Sequence, residues 1–486
     1  MAKRTAIIDI GSNSVRIVIY EKTSRFAFHL LREAKSRVRI GEGAYLKDGY
    51  LQEEAMQRAY ETVEEFVSLA HAYKCRKILS VATSALRDAP NKKDFLNKVS
   101  KNLNLNIRII DGNEEAYLGG IAVANMLPDK NGVTIDIGGG STELAYLENG
   151  LVTDTISLDI GTVRLKELFC DAKRKDEAIN FIANEANKIP KKFHNCNVIG
   201  IGGTIRALSR AFIRHTKYPI KVLHGLSYEA KEMDAFATTL VGASKSKLKK
   251  IDIKKERYDV ISAGALIFSQ LLKHLEATRV TASSVGVREG VYIKDLLRTQ
   301  KVYRFPSNIN PTLNSIVDRY IEDIKFASLF QQTTLKLFDL LKQTLDLNPQ
   351  HRQLLGHSAK LAHIGIGLNY YDFERHSFYL ILHSLYGLTH KETLLIATLV
   401  RYHTKKKPSK DFRKKYKTLL PKNRDLKGLI FILALANAML KAHPSKLPFE
   451  ITLIKEKLHL KNLANNHLAV EKILSLESPI SIIIDS

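Results

Sequence analysis

A glycine-rich turn between two short apolar runs constrains the fold more than any other stretch of this sequence. The run over 133–137 is rich in β-branched residues and holds one acid, Asp136, and three glycines follow before the apolar pattern resumes at Leu144. This pattern predicts two strands joined by a hairpin, in which backbone N–H groups can surround a tetrahedral anion because glycine has no Cβ. An ordinary tight hairpin has the same signature, so this turn alone does not establish a phosphate site.

The same pattern occurs a second time, near the N-terminus. Residues 8–17 read Ile-Asp-Ile-Gly-Ser-Asn-Ser-Val-Arg-Ile, and a shift of about 127 positions lays Asp9 on Asp136 and Gly11 on Gly138. Two similar half-sites predict two similar domains that face a cleft, with a phosphate hairpin and carboxylates on each wall. Such a cleft suits phosphoryl transfer with a bound metal ion.

Composition indicates a folded protein with several domains. The chain has 486 residues, of which 45% are hydrophobic, which is enough apolar surface for two to four domains. Its three cysteines are isolated in the sequence, so we expect neither a disulfide framework nor a zinc site, and a reducing, cytoplasmic location fits best. No apolar run approaches the ~18 residues of a membrane span and no signal-type segment is seen, so no membrane association is expected.

The formal net charge of +25 calls for a polyanionic partner or substrate. Nucleic acid, polyphosphate and an anionic membrane would all satisfy it. The stretch 401–427 holds 12 Lys and Arg residues against two Asp, including the run Lys405, Lys406 and Lys407. It is either a solvated face or a docking surface for a polyanion. Because the sequence shows neither an RNA-recognition motif nor an aromatic stacking platform, we do not expect nucleic acid as a partner.

The order of strand and helix patterns predicts three domains. Strands and amphipathic helices alternate over 1–128, with a helix at 53–73 and a strand at 77–82, and the scheme repeats over 129–300. From Thr312 onward, long amphipathic stretches dominate and strand signals nearly vanish, which predicts a helical domain over 301–486. The expected fold class is therefore α/β, with two α/β domains facing a cleft and an all-α domain after them.

Three glycine motifs resemble those of a known superfamily. The two hairpins, together with Ile-Gly-Ile-Gly-Gly-Thr at 199–204, resemble the phosphate and nucleotide motifs of the actin, sugar kinase and Hsp70 ATPase superfamily. Two further segments, Ala-Thr-Ser-Ala-Leu-Arg at 82–87 and Asp-Gly-Asn-Glu-Glu-Ala at 111–116, resemble the exopolyphosphatase and guanosine pentaphosphate phosphohydrolase (Ppx/GppA) family. The resemblance covers roughly the first 300 residues strongly. It implies two actin-like (ribonuclease H-like) domains followed by an HD-like domain.

The resemblance also implies an activity and its residues: Mg²⁺-dependent release of the terminal phosphate of inorganic polyphosphate, of guanosine pentaphosphate, or of both. The family's general base matches Glu115, although in isolation Glu114 and Glu115 would both be expected to cap a helix. Asp136 and Glu143, with Asp9, are expected to hold the cation, because Mg²⁺ prefers a few carboxylates. The residues expected to bind phosphate are Gly11, Ser12, Asn13, Ser14, Arg87, Gly138, Gly139, Gly140, Ser141 and Thr142. The residues expected to bind the nucleotide or a distal phosphate are Arg16, Gly203, Thr204 and Arg288.

The helical domain resembles an HD-type phosphohydrolase through 361–365 and 400–403. The diagnostic His-Asp pair is here His363 and Ile364, and no histidine occurs near 331–333, where the earlier metal ligand would fall. Without histidine and carboxylate together we expect no dinuclear metal site and an inert, structural bundle. If the protein forms a homodimer, we expect the contact in this domain.

Other readings of the sequence remain open at this point. A kinase or ATPase of the same superfamily would share the hairpins, and Glu115 is the residue that favours water as the acceptor. A non-catalytic sensor of alarmone or polyanion would fit the net charge but would need neither a base nor metal ligands. The two candidate substrates would need different binding surfaces. Polyphosphate would bind along the basic stretch 401–427. The alarmone would need a guanine pocket near Gly203, and Arg16 and Arg288 near the mouth favour it.

Overall fold

The computed structural model describes residues 3–44, 48–404, 407–462 and 466–485. Two lysines of the basic stretch, Lys405 and Lys406, lie outside the described residues. The chain divides into two compact units, Met1–Pro311 and Thr312–Ser486. The further boundary at residue 128 stays a prediction. None of the described helices is long and apolar enough to cross a membrane.

The first unit begins with a five-stranded mixed sheet. Its strands are β1 (Lys3–Ile10), β2 (Val15–Ser24), β3 (Ala27–Ser36), β4 (Lys77–Ala82) and β5 (Ile107–Ile109), in the order β3-β2-β1-β4-β5. Strands β1, β2 and β3 are antiparallel neighbours, whereas β4 and β5 run parallel to β1. The helices of this half are α1 (Glu53–Ala72), α2 (Ser84–Asp88), α3 (Lys92–Leu103) and α4 (Gly112–Met126).

A second mixed sheet follows in the same unit. Its strands are β6 (Gly132–Ile137), β7 (Thr142–Glu148), β8 (Leu151–Leu158), β9 (Asn197–Ile201), β10 (Leu226–Glu229) and β11 (Arg279–Ala282), in the order β10-β11-β9-β6-β7-β8. The helices are α5 (Thr162–Leu165), α6 (Lys175–Ala186), α7 (Gly202–His215), α8 (Ala230–Thr238), α9 (Lys245–Lys250), α10 (Ile261–His274) and α11 (Val287–Leu296). A π-helical turn (Lys166–Cys170) and two 3-10 turns (Lys191–Phe193 and Lys255–Arg257) complete it.

The two sheets share one topology. Read from β8, the second sheet runs β8-β7-β6-β9-β11, which reproduces the order β3-β2-β1-β4-β5. The strand directions match as well, since β6, β7 and β8 are antiparallel neighbours and β9 and β11 run parallel to β6. Only the antiparallel edge strand β10 is added. The repeat of the hairpin sequence is therefore a repeat of the whole sheet, as expected of the two similar domains that the resemblance implies.

The second unit is largely helical. Its helices are α12 (Pro311–Tyr320), α13 (Ile324–Leu341), α14 (His351–Leu361), α15 (Phe373–Ser384), α16 (His390–Tyr402), α17 (Lys410–Lys415), α18 (Asn423–Met439) and α19 (His467–Leu474), with a 3-10 turn at Ile364–Gly367. A three-stranded sheet lies near the C-terminus and consists of β12 (Phe449–Ile454), β13 (Lys457–Asn462) and β14 (Ile482–Asp485). The fold class, two α/β halves with mixed sheets followed by a largely helical domain, is as predicted.

The three-stranded sheet corrects the expectation of an all-α domain. Strands β12 and β13 form a hairpin through Lys455 and Glu456, both of which have positive φ angles. Such turns are normally recognised from Asn or Gly at these positions, because other side chains disfavour this backbone conformation. A Lys-Glu turn carries no such signal, which explains why the sequence pattern missed the hairpin.

Two histidines lie among aromatic rings inside the helical unit. The rings of His363 and His403 are 5.9 Å apart, and Phe330 stacks on His363 at 5.5 Å. His403 is 1% exposed; its Nδ1 bonds the carbonyl oxygen of Val400 at 2.7 Å, and its Nε2 has no hydrogen-bond partner among the described residues. Burial lowers the pKa of His403 to about 4. Among the described residues, no group of three or more His, Cys, Asp or Glu could hold a metal ion.

We expect His403 to make the helical unit acid-labile. An exposed histidine in the unfolded chain has a pKa of about 6.5. Between pH 6.5 and the folded pKa of about 4, the unfolded chain binds a proton that the folded chain does not bind. The free energy of unfolding is therefore highest above pH 6.5 and falls as the pH is lowered toward 4. The loss amounts to about 3 kcal/mol at most. Urea unfolding of the full chain at several pH values measures it.

The matched variants for this measurement are His403→Gln and His467→Gln. The first removes the titrating ring, so the slope of the unfolding free energy against pH should become shallower. The ring of His467 is exposed, and its replacement should leave the slope as in the wild type. An unchanged slope in His403→Gln would contradict this account of the acid sensitivity.

Candidate active site between the two glycine hairpins

The hairpins β1–β2 and β6–β7 close with the same hydrogen bond. In the first, the N–H of Gly11 donates to the carbonyl oxygen of Ser14 at 3.2 Å, and in the second the N–H of Gly138 donates to that of Ser141 at 2.9 Å. Equivalent residues of the repeated sequence thus form equivalent turns. Each turn presents backbone N–H groups that can point toward an anion.

The two hairpins approach each other closely. A Cβ placed on Gly139 would lie 3.0 Å from the Cβ of Ser12, which is closer than real side chains normally come. Ser12 is itself fixed, since its hydroxyl pairs with that of Ser84 at 2.7 Å and accepts the N–H of Ala85 at 3.2 Å. The start of α2 therefore anchors the first hairpin against the second.

A cavity of about 150 Å³ lies between the hairpins. Most of the predicted site residues line it: Asp9, Gly11, Ser12, Asn13, Ser14, Arg16, Glu115, Asp136, Gly138, Gly139, Ser141, Gly203, Thr204 and Arg288. The predicted residues that do not line it are Arg87, Gly140, Thr142 and Glu143. The structure therefore gathers these predicted residues from both halves around one cavity.

The residues behind the lining fall into two groups. The hydroxyl of Thr142 donates to the carbonyl oxygen of Ile160 at 2.5 Å. It therefore does not point into the cavity, although Thr142 was predicted to bind phosphate. Arg87 and Glu143 surround Glu115 instead. The Nη1 atom of Arg87 lies 3.7 Å from Oε2 of Glu115, and Glu143 accepts the hydroxyl of Ser157 at 3.2 Å.

The two neighbouring glutamates at the start of α4 have different surroundings. Asp111 caps the helix by accepting the N–H of Glu114 at 2.7 Å, so neither glutamate caps it. Glu114 pairs with Arg108 at 2.6 Å and with Lys294 at 3.0 Å. Glu115 lines the cavity, and its buried Oε2 has no hydrogen-bond partner among the described residues. Only the second glutamate is placed to act on a molecule in the cleft.

Four carboxyl groups interact beside the hairpins: Asp9, Glu115 and Asp136 line the cavity, and Glu143 is buried next to it. Burial, followed by the negative charges of Glu143, Asp136 and Asp9, raises the pKa of Glu115 well above its usual range. Burial likewise raises the pKa of Glu143 to about 8, although hydrogen bonds from Ser141 and Ser157 oppose this. It also raises the pKa values of Asp9 and Asp136. The charged forms of these groups would be stabilised by a cation.

The carboxylates suit Mg²⁺ in chemistry but do not form a complete cage. Among the described residues no three or more carboxylates, histidines or cysteines are grouped so that they could hold a metal alone. Mg²⁺ keeps several waters and is usually bound through one or two carboxylates together with substrate phosphates. Hard oxygen ligands, raised pKa values and an unpartnered carboxylate oxygen all fit such an ion.

Four arginines line the cavity: Arg16, Arg206, Arg257 and Arg288. Burial, then the positive charges of Arg288 and Arg206, lowers the pKa of Arg16 to about 10. Burial and the charge of Arg288 also lower the pKa of Arg206, whose buried Nε has no hydrogen-bond partner among the described residues. Cations packed this closely are stabilised by a polyanion between them.

The sequence analysis missed Arg206 and Arg257. Arg206 lies two residues after Thr204 in the first turn of α7, so the glycine motif could have indicated it. Arg257 lies in a 3-10 turn for which the sequence gave no signal. Glu33 of β3 was missed as well; it pairs with Arg288 at 2.8 Å and lies 3.6 Å from Arg16, so one carboxylate links arginines of the two halves.

The third glycine motif brings α7 against the second hairpin. Gly202 has a φ of +73°, and a Cβ there would lie 1.9 Å from Oδ1 of Asp136. The hydroxyl of Thr204 donates to the carbonyl oxygen of Ile137 at 3.1 Å. Only glycine at position 202 therefore lets the N-terminus of α7, with its free N–H groups, approach the acidic end of β6.

Comparison with known proteins agrees with the geometry. The Ppx/GppA phosphatase family matches residues 18–299, and domain III of Ppx/GppA phosphatases matches residues 310–477. A guanosine-5'-triphosphate,3'-diphosphate pyrophosphatase from Photobacterium profundum is 28% identical over 410 residues, which cover 82% of this chain and 79% of that protein.

Solved structures of related proteins match about three-fifths of the chain. The crystal structure of the Aquifex aeolicus member of the Ppx/GppA family is 28% identical, with a TM-score of 0.53, over 62% of this chain and 99% of that one. An exopolyphosphatase from Cytophaga hutchinsonii is 25% identical, with a TM-score of 0.55, over 60% of this chain and 98% of that one. Since the family match spans more than half of the sequence and the predicted motifs converge on one cleft, the chain belongs to the Ppx/GppA phosphatase family.

Proposed function

We propose that the protein is a phosphohydrolase that releases the terminal phosphate of inorganic polyphosphate, of guanosine pentaphosphate, or of both. The observation that carries the proposal is the placement of Glu115, whose buried Oε2 atom has no hydrogen-bond partner among the described residues, in one cavity with two phosphate-type hairpins and four arginines. Two relatives support the two substrates: the guanosine-5'-triphosphate,3'-diphosphate pyrophosphatase supports the nucleotide, and the exopolyphosphatase supports the polymer.

In the proposed reaction, backbone N–H groups and hydroxyls of the two hairpins bind the terminal phosphates. Arg16, Arg206 and Arg288 neutralise the negative charge of the chain as it enters the cavity. Glu115 accepts a proton from a water molecule aligned with the terminal phosphorus, so that the water oxygen attacks and the bridging oxygen leaves. Hydrolysis needs no acceptor other than this water.

Arg87 and Ser157 act on the carboxylates rather than on the substrate in this proposal. Arg87, 3.7 Å from Glu115, favours its ionised form, which the base requires. Ser157 orients Glu143 through a hydrogen bond of 3.2 Å. When bound, Mg²⁺ would be held by one or two of the carboxylates of Asp9, Asp136 and Glu143 together with the substrate phosphates, and it would neutralise charge that develops on the phosphate oxygens.

Phosphate release by the purified full chain tests the proposal. Long-chain polyphosphate, guanosine pentaphosphate and GTP are compared with Mg²⁺ and with EDTA. We expect release from at least one of the first two, and loss of release with EDTA. The ranking assigns the main substrate. Tight binding of these compounds without any release would instead indicate a sensor.

Arg16 should matter more for the nucleotide than for the polymer. Polyphosphate offers many equivalent phosphates, so it can shift along the cleft and regain a lost contact, whereas a nucleotide has one bound position. Arg16→Ala is therefore expected to lower kcat/KM about tenfold for guanosine pentaphosphate, the loss typical of a charged hydrogen bond, and less for polyphosphate. Steady-state kinetics on both substrates measure this.

The control for Arg16 is Arg108→Ala, which removes an arginine that pairs with Glu114 outside the cavity lining. It should leave both substrates unaffected. Equal losses on both substrates in Arg16→Ala would show that Arg16 does not discriminate between them.

We also propose a cytoplasmic location. Cys75, Cys170 and Cys196 are all unpaired, as expected of a protein that functions under reducing conditions.

A further inference from the structure

The helical unit exposes several aromatic rings that do not pack in its core. Within 366–379, five large apolar side chains are exposed: Ile366, Leu368, Tyr370, Tyr371 and Tyr379. Tyr371 is 81% exposed, Tyr370 66% and Tyr379 61%. Exposed apolar residues scattered singly need no explanation, but five within one short segment indicate a binding surface. We call Tyr370, Tyr371, Tyr379 and His383 the tyrosine surface.

The tyrosine surface is held in place by its neighbours. The 3-10 turn before it is tied to α15, because the N–H of Gly365 donates to the hydroxyl of Ser377 at 2.9 Å. On α15, the rings of Tyr379 and His383 are stacked, with centroids 4.2 Å apart. The rings of Tyr370 and Tyr371 meet edge to face at 5.8 Å. The rings are thus already ordered for contact with a flat partner.

Helix α15 also joins this surface to the basic stretch 401–427. Phe378, the residue before Tyr379, contacts Phe412 of α17, with ring centroids 6.1 Å apart. The guanidinium of Arg401 lies over both rings, at 5.1 Å and 5.4 Å. The basic stretch therefore packs, through α17, against the helix that carries Tyr379 and His383.

Several lysines of the basic stretch are free to meet an anion. Lys407 and Arg424 are paired with Glu477 and Asp346. By contrast, six exposed lysines of the stretch make no ion pair with any other described residue, and four of them, Lys410, Lys414, Lys417 and Lys422, are used in the test below. Their charges are available to a polyanion, and none is needed to neutralise a neighbouring carboxylate.

We propose that this face of the helical unit binds single-stranded nucleic acid, with bases stacked on the tyrosine surface and phosphates held by the lysines of α17 and the residues after it. Lysines alone would accept any polyanion, including polyphosphate. Aromatic rings gain nothing from a phosphate chain, whereas every nucleobase has a face that can stack on them. A single strand offers both bases and phosphates, and a duplex hides its base faces. This proposal departs from the expectation from sequence that nucleic acid is not a partner.

The test uses the full-length protein and a fluorescein-labelled oligoadenylate of about 20 nucleotides, a length that covers one single-strand site. Fluorescence anisotropy in EDTA measures its affinity, and unlabelled polyphosphate of matched phosphate number competes against it. The triple variant Tyr370→Ala, Tyr371→Ala and Tyr379→Ala is expected to bind the oligonucleotide at least tenfold more weakly. Its affinity for polyphosphate and its phosphate release should stay within twofold of the wild type.

Two further variants separate stacking from charge. Replacing the same tyrosines by Phe keeps the rings and should keep the affinity for the oligonucleotide. Replacing Lys410, Lys414, Lys417 and Lys422 by Gln should lower the affinity for both the oligonucleotide and polyphosphate, and it should reduce the dependence of binding on salt. A duplex of matched length should bind the wild type more weakly than the single strand.

Three results would overturn the proposal. The first is no binding of the oligonucleotide by the wild type, and the second is equal affinity in the triple Ala variant. The third is equal loss of polyphosphate and oligonucleotide binding in that variant, which would make the face a general polyanion-docking surface. A changed molar mass of the triple Ala variant, with unchanged oligonucleotide affinity, would assign the tyrosine surface to a second copy of the chain. Failure of phosphate release in the wild type would leave these binding results unaffected.

Discussion

Replacing Glu115 by Gln is expected to lower kcat for phosphate release at least a hundredfold. A positioned general base contributes about 10²–10⁴-fold to a rate, and Gln keeps the size of the side chain while removing its ability to accept a proton. Glu115 lines the cavity with an unpartnered oxygen, which is available to accept a proton from a water molecule there. The rate at saturating substrate, measured with the protein shown to be folded by its thermal transition, gives the loss.

The matched control is Glu114→Gln, one residue away on the same turn of α4. Glu114 pairs with Arg108 and Lys294 and does not line the cavity. Its replacement removes two partly exposed ion pairs, which are worth little in stability, and should change kcat less than twofold. If the two variants lost activity equally, the assignment of the base to Glu115 would be wrong.

Gly290→Ala is expected to destabilise the first unit by about 3 kcal/mol and to reduce activity with it. Helix α11 packs against α4 so closely that a Cβ on Gly290 would lie 2.0 Å from the carbonyl oxygen of Leu118. Backbone cannot move aside as a flexible side chain can, so the helices must separate. Because α11 also carries Arg288, their separation moves an arginine of the cavity. Urea unfolding and kinetics together measure both effects.

Gly119→Ala on α4 provides the comparison. A Cβ at Gly119 would meet only the end of the Ile201 side chain, at 3.2 Å, and alanine favours the helix by about 1 kcal/mol over glycine. We expect its stability to stay within about 1 kcal/mol of the wild type. Equal destabilisation by the two variants would show that the close contact of α4 with α11 is not what requires Gly290.

The predictable parts of the fold and site are those fixed by local sequence. The helix expected at 53–73 is found at Glu53–Ala72, and the strand expected at 77–82 is found at Lys77–Ala82. In both, the apolar residues that set the sequence pattern are buried or half-buried in the structure. The hairpins were predictable because each holds its acid and its glycines within a few residues of one strand end. Their repetition in turn indicated a cleft with one hairpin on each wall.

Other parts depend on contacts between distant segments. Arg257 reaches the cavity from a short turn, which no local pattern identifies as part of a site. The hydroxyl of Thr142 follows the hairpin in sequence, yet it donates to Ile160 on a neighbouring segment. The cap of α4 is Asp111, whereas sequence reasoning considered only the two glutamates after it. In each case the partner was set by tertiary packing.

The measurement that tests the central claim most directly is hydrolysis in ¹⁸O-labelled water, with the preferred substrate and the wild-type protein. If water attacks the terminal phosphorus in the cleft, mass spectrometry should find one ¹⁸O atom in each phosphate released per turnover. Released phosphate without the label would show that water attacks another phosphorus atom. Absence of free phosphate, with a phosphorylated acceptor formed instead, would contradict hydrolysis and favour a kinase of the same fold.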